Sequence, residues 1–593
     1  MDKLYISTNF LSSNHNYSIA YIYNNEIFCI ELERINRIKD YPSLPWKNTL
    51  LDLELFDLLD KETLDLRVKK LWNYLWKLLY YSILKNGIDL SLINQIYILN
   101  LPINVDISWL KWEIFNYKYN YHHLFHAFSA FYSSWFDSSL ILCMDHDWYD
   151  EYLWWKDIMH SLWYFDKDKF DCLSFQEFSP INWYAWIWVI YEISSKICWL
   201  SEWTFMWLSS FWFDIWPDLK IFDLNSDWVL INTEILWKKS FLDYYDIHEN
   251  IKKWLLNKFW IKETDKFIWI EKSLYSNFAF KIQKETEAAI FHLAKIWFSL
   301  TWNINISIAW WIWLNIPSNS KIISELNYKN IFVQPACHDS WLSLWWLYYL
   351  YYKILWNSNI INFKSWWLWF LYSDEEILSE LIKFSELSFE LIWDKKYQFA
   401  AELLSKWFII WWFQWKSEFW PRALWFRSIF SWAFSLDLKN KLNDIKWRER
   451  YRPLAPILLE EDIDNYFINW KISPFMTMSF KIKEDKINNI IWATHVDWTA
   501  RYQSVNIDNN IYVFKLLNEY KKITWESLII NTSFNQNNEP IVEKPLDAIK
   551  MFLSTDLDKL FIWNYMVSKK KVDLKYKYNS EKYIYNHNNL ISQ

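Results

Sequence analysis

Apolar residues fall in two rhythms along this chain. Short runs read as strands: KLYIST from Lys3, SLILCMD ending at Asp145, INISIA ending at Ala309, and NIFVQPA from Asn330. Between them lie longer stretches with apolar positions near helical spacing, such as Phe278 to Leu300. This alternation predicts an α/β domain over 1–365 with a partly parallel sheet. Residues 366–405 are helical in pattern and Glu/Lys-rich, and are expected to be a linker. A second, α+β unit is expected over 406–567, with strand-like pieces FIIWWFQ and SLIINTSFN. The Lys/Tyr/Asn-rich stretch 568–593 reads as a tail.

Size and charge narrow this picture. The 593 residues exceed one ordinary core, which agrees with two domains. With 70 acidic and 63 basic residues and a formal net charge of −7, the chain has no general footprint for nucleic acid or anionic membrane. No apolar run approaches the roughly 18 residues that span a bilayer. The start, MDKLYISTNF, lacks a basic region followed by an apolar stretch, so no signal peptide is expected. Five cysteines (Cys29, Cys143, Cys172, Cys198, Cys337) form no C-x-x-C pair, which points to a reducing compartment. The expectation is a soluble, cytoplasmic protein.

One pair of counts changes how everything else is read: Gly 1 and Trp 49. Average glycine usage of about 7% predicts roughly 40 in a chain this long. The tryptophans also stand where a turn wants glycine: Trp310 and Trp311 after a strand, Trp345 and Trp346 in a tight apolar run, Trp203 and Trp207 in an expected loop. The hypothesis is that UGA encodes glycine in the source genome and is rendered here as tryptophan. A Trp-rich surface for stacking sugars or bases is the rival, but it would not abolish glycine.

Three constellations carry chemistry. His122 and His126 are four apart, which places both imidazoles on one helix face. Two strand-like runs end near Asp145 and Asp339, and α/β sheets gather ligands at such ends. Two imidazoles and two carboxylates suit Fe(II), Mn(II) or Zn(II) better than Ca(II) or Mg(II). A satisfied histidine cluster is the bland alternative. Second, Trp310-Trp311 before Asn315, and Glu202, Trp203 and Trp207, become Gly-punctuated loops able to cradle a nucleotide once glycine is restored. Gly-rich turns are usually just turns. Third, only nine of the 63 cations are arginine, and six fall between Phe419 and Gln503: Arg422, Arg427, Arg448, Arg450, Arg452 and Arg501. With Lys446, Asn531 and Ser533 they fit a phosphate or carboxylate site that needs planar bidentate donors. A solvated basic face is the alternative, though lysine would serve there.

Taken together these segments resemble the O-carbamoyltransferase family of the nodulation and tobramycin type. With suspect tryptophans read as glycine, EFWPRALWFRSIF from Glu418 is similar to E-x-G-P-R-A-L-G-x-R-S-I. KWRERYRPLAP from Lys446 is similar to K-x-R-E-x-x-R-P-x-A-P, THVDWTARYQSV from Thr494 to H-V-D-G-T-A-R-x-Q-x-V, and NTSFNQNNEPIV from Asn531 to N-T-S-F-N-x-x-x-E-P-I-V. YHHLFHAFSAFYSS, SEWTFMWLSSFW, IAWWIWLN and QPACHDSWLSLWW find counterparts in order in the first half. The sequence departs from the family where Asn16 follows His15 in place of Asp, and where His146 follows Asp145.

The resemblance implies an N-terminal actin/sugar-kinase-like (ASKHA) domain and a C-terminal YrdC-like domain. It implies that carbamoyl phosphate and ATP, the latter with Mg, give carbamoyl adenylate, whose carbamoyl group passes to a hydroxyl of a small molecule or sugar. It implies iron held by His122, His126, Asp145 and Asp339, and His15 as the base near the acceptor. It places Arg422, Lys446, Arg448, Arg452, Arg501, Asn531 and Ser533 at the carbamoyl phosphate and ATP site. A tRNA threonylcarbamoyl-forming enzyme and a non-catalytic nucleotide sensor are the competing functions. The acceptor and the oligomeric state are not legible.

Overall fold

The computed structural model describes residues 2–8, 18–31, 34, 78–89, 93–99, 112–115, 122–134, 136–150, 156–166, 169–177, 187–198, 200, 202–209, 215–216, 219–224, 229–231, 244–263, 274–301, 305–309, 315–326, 328, 330–335, 342–355 and 368–570, the last apart from 420–421, 433–435, 449–451, 491–492, 496, 537–538, 556 and 558.

Five strands make the first sheet: β1 (Asp2–Thr8), β2 (Ser18–Tyr23), β3 (Glu26–Glu31), β4 (Ile93–Leu99) and β5 (Trp112–Phe115). Their order is β3-β2-β1-β4-β5. The first three form an antiparallel meander, while β4 runs parallel to β1 and β5 parallel to β4. Leu4 to Ser7 of the central β1 are all buried, as a strand covered on both faces requires.

The next strands are β6 (Ser138–Asp150), β7 (Lys156–Asp166), β8 (Phe170–Glu177), the short pair β9 (Phe222–Leu224) and β10 (Val229–Ile231), then β11 (Asn305–Ala309) and β12 (Asn330–Val333). A second five-stranded sheet has the order β12-β11-β6-β7-β8. Here too three strands form an antiparallel meander, and two more add parallel to the first. The two sheets share order and strand direction throughout. Helices Ile187–Ile197, Tyr244–Phe259 and Leu274–Thr301 share one apolar core with β6 and β11, to which they contribute Ile190, Leu255, Phe278 and Leu293.

The remaining strands are β13 (Leu387–Leu391), β14 (Ile410–Phe413), β15 (Arg427–Ser431), β16 (Ala455–Leu459), β17 (Phe480–Lys481), β18 (Thr499–Ala500), β19 (Gln503–Val505), β20 (Ile529–Ser533), β21 (Lys559–Ile562) and β22 (Tyr565–Lys569). Eight of them form one mixed sheet, ordered β13-β22-β21-β14-β15-β20-β16-β19. Its core is continuous with that of the first sheet, running from Tyr5, Ile22 and Tyr97 through Leu344–Tyr352 and Leu368–Tyr372 to Ile410–Phe413. The chain is therefore a mixed α/β protein of several sheets.

Three expectations are corrected. Residues 366–405 are not a free linker: β13 pairs with β22 from Leu387↔Lys569 to Leu391↔Tyr565, and Lys396–Ser405 is a helix with buried Tyr397, Ala400, Ala401 and Leu404. Their polar residues face outward from the edge of the second unit, which is why the composition resembles a linker. The segment Glu202–Leu208 is a helix rather than a loop, because Phe205, Met206, Trp207 and Leu208 all find buried seats. The strand β22 also carries ordered chain to Lys569, beyond the expected start of the tail at 568.

Candidate functional site

The arginine-rich motifs of the second unit converge on one place. Helix Leu436–Ile445 ends just before Lys446, and a tight turn at Trp447 brings Arg448 back against that helix. The buried Asn443, on the last helical turn, accepts from Arg448 Nε at 2.5 Å and donates to the Arg452 carbonyl at 3.1 Å. One asparagine thus fixes the spacing of two guanidinium-bearing residues. Lys446 Nζ is encircled by Ser533 and Asn535: it meets Ser533 Oγ at 3.1 Å, the Asn535 carbonyl at 2.6 Å, Asn535 Oδ1 at 2.8 Å and the Ser533 carbonyl.

Arg422 rides on a loop shaped by a buried carboxylate. Glu418 Oε1 accepts the backbone N–H groups of Leu424, Phe426 and Arg427 at 2.9, 3.0 and 3.1 Å. Across the loop, Asn531 and Gln503 each donate to the Ala423 carbonyl at 3.1 Å, and Arg422 donates to the Met476 carbonyl. Arg427 has a different task. Fully buried, it donates to the carbonyls of Gln414, Trp415 and Phe426 and lies over the Phe413 ring. Arg450 lies outside the described residues.

The electrostatics show what this place favours. Burial holds Arg501 well below its ordinary value, and Arg422, Arg448 and Arg452 add to it. Lys446 is pushed well down by burial, then by Arg448 and Arg452, with only Glu539 opposing. A guanidinium does not give up its proton in a protein. The depression at Arg501 therefore expresses a charge kept at a cost, which an anion among these five cations relieves. Phosphate oxygens at bidentate geometry fit that demand.

A second element reaches the same cations from the first part of the chain. Trp207 lies 4.8 Å under the Arg501 guanidinium and 4.6 Å from the His495 ring. His495 Nδ1 pairs with Thr499 Oγ1 at 2.9 Å, and that hydroxyl donates to Asp497 Oδ1 at 2.7 Å, so the imidazole donates from Nδ1 and Nε2 keeps a lone pair. Burial pushes His495 down to about 4, with Arg501 and Lys439 adding and Asp497 opposing. Nearby, Asn319 Nδ2 donates to the Thr477 carbonyl at 2.9 Å and Ser479 N–H to Ser320 Oγ at 2.9 Å, so helix Ile316–Glu325 also abuts the second unit. Asn315 caps that helix through Ser318 N–H and exchanges two hydrogen bonds with Gln283, which occupies both ends of its amide.

Of the expected metal ligands, the His126 side chain alone is described. It is buried on helix His122–Ser133, its ring 3.9 Å from that of Trp345. The backbones of His122 and Asp145 lie on that helix and on β6, whereas their side chains, and Asp339 altogether, lie outside the described residues. Cys143 Sγ meets the His123 carbonyl at 3.6 Å, which sets the helix start beside the middle of β6; that strand runs on through Asp145 to Asp150 rather than ending near Asp145 as expected. His123 bonds Ser161 Oγ and the Ile158 carbonyl and is structural. Among the described residues no three His, Cys, Asp or Glu side chains gather as metal ligands. His15, Trp310 and Trp311 lie outside the described residues, as do the side chains of Glu202 and Trp203.

With this geometry in place, comparison with known proteins is decisive for the second unit. Residues 401–569 match the family model described as carbamoyltransferase C-terminus. The second unit is a carbamoyltransferase C-terminal domain. All seven expected anion-site residues lie in this carbamoyltransferase domain. The chain is 33% identical to the nodulation protein NolNO of Sinorhizobium fredii, over 49% of this chain and 43% of that one. It is 32% identical to the nodulation protein NolO of Bradyrhizobium diazoefficiens, over 49% and 54%. The matches to these two relatives thus span about half of their length. Protein MJ1058 of Methanocaldococcus jannaschii is 28% identical over 94% of this chain and 98% of its own. A solved structure of full-length HypF, in a phosphate- and nucleotide-bound form, aligns at a TM-score of 0.20 and 18% identity over 31% of this chain and 22% of its own, too little to bear on the fold.

Asn443, Glu418, Gln503 and His495 were not singled out from sequence. Glu418, Gln503 and His495 stand inside the quoted motifs, but their work is on backbone groups and neighbours that only the fold brings near. Asn443 had a faint signal, an amide in the last helical turn before Lys446.

Proposed function

We propose that this chain is an ATP-dependent O-carbamoyltransferase acting on a hydroxyl of a small molecule or sugar. The carrying observation is the cluster of five cations, Arg422, Lys446, Arg448, Arg452 and Arg501, whose mutual repulsion an anion relieves. Carbamoyl phosphate, ATP and water give carbamoyl adenylate, pyrophosphate and phosphate in the carbamoyltransferase domain. Arg448, Arg452 and Arg501 grip phosphate oxygens while Lys446, held by Ser533 and Asn535, supplies a point charge. The carbamoyl group then passes to the acceptor hydroxyl with release of AMP, and His15 takes the hydroxyl proton.

The matched order and direction of the first two sheets support a duplicated, actin/sugar-kinase-like first domain. The eight-stranded sheet carrying the cations is read as the YrdC-like part. The contact of His123 with Cys143 brings the start of the histidine helix near β6 two residues before Asp145, which supports reading His122, His126, Asp145 and Asp339 as a donor set, one that suits Fe(II), with Mn(II) or Zn(II) as alternatives. When bound, such an ion supplies Lewis acidity toward a phosphate or carbonyl oxygen. The test is ATP–pyrophosphate exchange with protein purified from its own organism. Exchange that requires carbamoyl phosphate is expected; exchange that ignores it, or none, overturns the proposal.

A further inference from the structure

Thirteen non-glycine residues have left-handed backbone among the described residues. Three are Asn24, Asn25 and Asn469, from the residue type that tolerates this region, and one is Met476. The other nine are all tryptophan: Trp260, Trp393, Trp407, Trp415, Trp425, Trp447, Trp498, Trp525 and Trp563. A Cβ clashes with the carbonyl in this conformation, and a bulky side chain there is an outlier.

Where these residues stand explains the conformation. Helix 396–405 closes with Trp407 N–H on the Leu404 carbonyl and Phe408 N–H on the Leu403 carbonyl. Helix 436–445 closes identically, Trp447 to Asp444 and Arg448 to Asn443. Ile261 N–H bonds the Leu256 carbonyl around Trp260, and Trp525 N–H bonds Lys521 at the end of helix 511–524. The first three follow the Schellman pattern and the last the simpler left-handed cap, both of which call for glycine at this residue. The chain supplies its own control. Its one glycine, Gly87, closes helix 78–85 the same way, with Gly87 N–H on Leu84 and Ile88 N–H on Ile83. Trp563 is first in the two-residue turn between β21 and β22, the position glycine takes in a type II′ hairpin.

Trp425 is buried, but six of the nine indoles are exposed and gain little in return. Trp525 is 88% exposed, Trp260 83% and Trp407 69%, far from the burial a tryptophan normally finds. Nor do they form one aromatic surface, since they are spread over helix ends and turns throughout the fold.

We infer that at these nine positions the natural protein carries glycine, the codon UGA being read as glycine by its own ribosomes. Three of the nine shape the cationic site: Trp425 in the Arg422 loop, Trp447 between Lys446 and Arg448, and Trp498 between His495 and Arg501. The inference stands on backbone geometry and composition and is independent of the activity proposed above.

The experiment has two arms. Peptide mass spectrometry of protein isolated from the source organism is expected to show glycine masses at 407, 447 and 525; tryptophan masses there overturn the inference. In the chain with tryptophan throughout, Trp525→Gly is expected to raise the melting midpoint above both the parent and Trp525→Ala, which keeps the Cβ. A midpoint for Trp525→Ala equal to or above that of Trp525→Gly overturns it as well.

Discussion

Arg452 and His495 carry separate, testable consequences of where they sit. Arg452 is anchored by its own carbonyl on Asn443, and its charge adds to the cation cluster around Arg501. A charge-assisted bond lost at a buried anion costs about 1.5–3 kcal/mol. Arg452→Lys is therefore expected to lower carbamoyl-phosphate-dependent exchange by at least about tenfold. An exposed cation would lose about 0–1 kcal/mol, so an unchanged rate would place Arg452 on a solvated face. His495 is neutral in the fold, with a value near 4 against 6.5 in the open chain. Between those values the unfolded chain binds the extra proton. The contribution is complete above pH 6.5 and is lost as the pH falls toward 4. It amounts to about 2 kcal/mol between pH 7.5 and 5. Glu543, raised to about 7 by burial, acts in the opposite direction, so the comparison must be with a variant. Urea denaturation at both pH values should show a smaller fall for His495→Gln than for the wild type; equal falls would refute the assignment. The cations were legible because arginine is scarce here and its clustering stands out. His495 was not, because its burial depends on Trp207 from a distant segment.

Loops and strands set the limits of what the pattern revealed. The segment 422–427 holds its shape because one carboxylate oxygen collects three backbone N–H groups. Glu418→Ala strands all three, and each buried orphan donor costs about 1–3 kcal/mol. The variant is expected to lose about 3 kcal/mol or more in urea denaturation, and to lose exchange because Arg422 is no longer positioned. Glu418→Gln keeps an acceptor and should recover most of the stability; if alanine and glutamine behave alike, the carboxylate does not hold the loop. Buried strands such as β6 and β11 were plain from their apolar runs, since both faces are covered. The shared order of the two five-stranded sheets was invisible, because strand pairing is a long-range property that one-dimensional patterning does not carry. β13 was missed for a local reason. Of its residues LSFEL only Leu387 is buried, and helix Asp374–Leu381 before it begins with a Ser373–Glu376 capping box amid acidic residues, so the stretch looks solvated.

At the scale of the molecule, the cations and the histidine helix belong to different sheets, which predicts separable half-reactions. His126→Ala is expected to abolish bound metal and carbamoyl transfer while leaving carbamoyl-phosphate-dependent exchange within about twofold of wild type. Retained exchange also shows that the second unit remains folded. Full metal content in the variant, by elemental analysis, would remove His126 from the ligand set. No helix among the described residues is long and apolar enough to cross a membrane. The pairing of β13 with β22 also decides where the chain can be cut. A fragment that begins at residue 401, where the family match starts, discards β13 and half of helix Lys396–Ser405. Tyr565–Lys569 then becomes a bare outer edge, a template on which a second molecule can zip by main-chain pairing. A fragment begun before Ser373 keeps that strand and its capping helix. The first should aggregate on concentration more readily than the second.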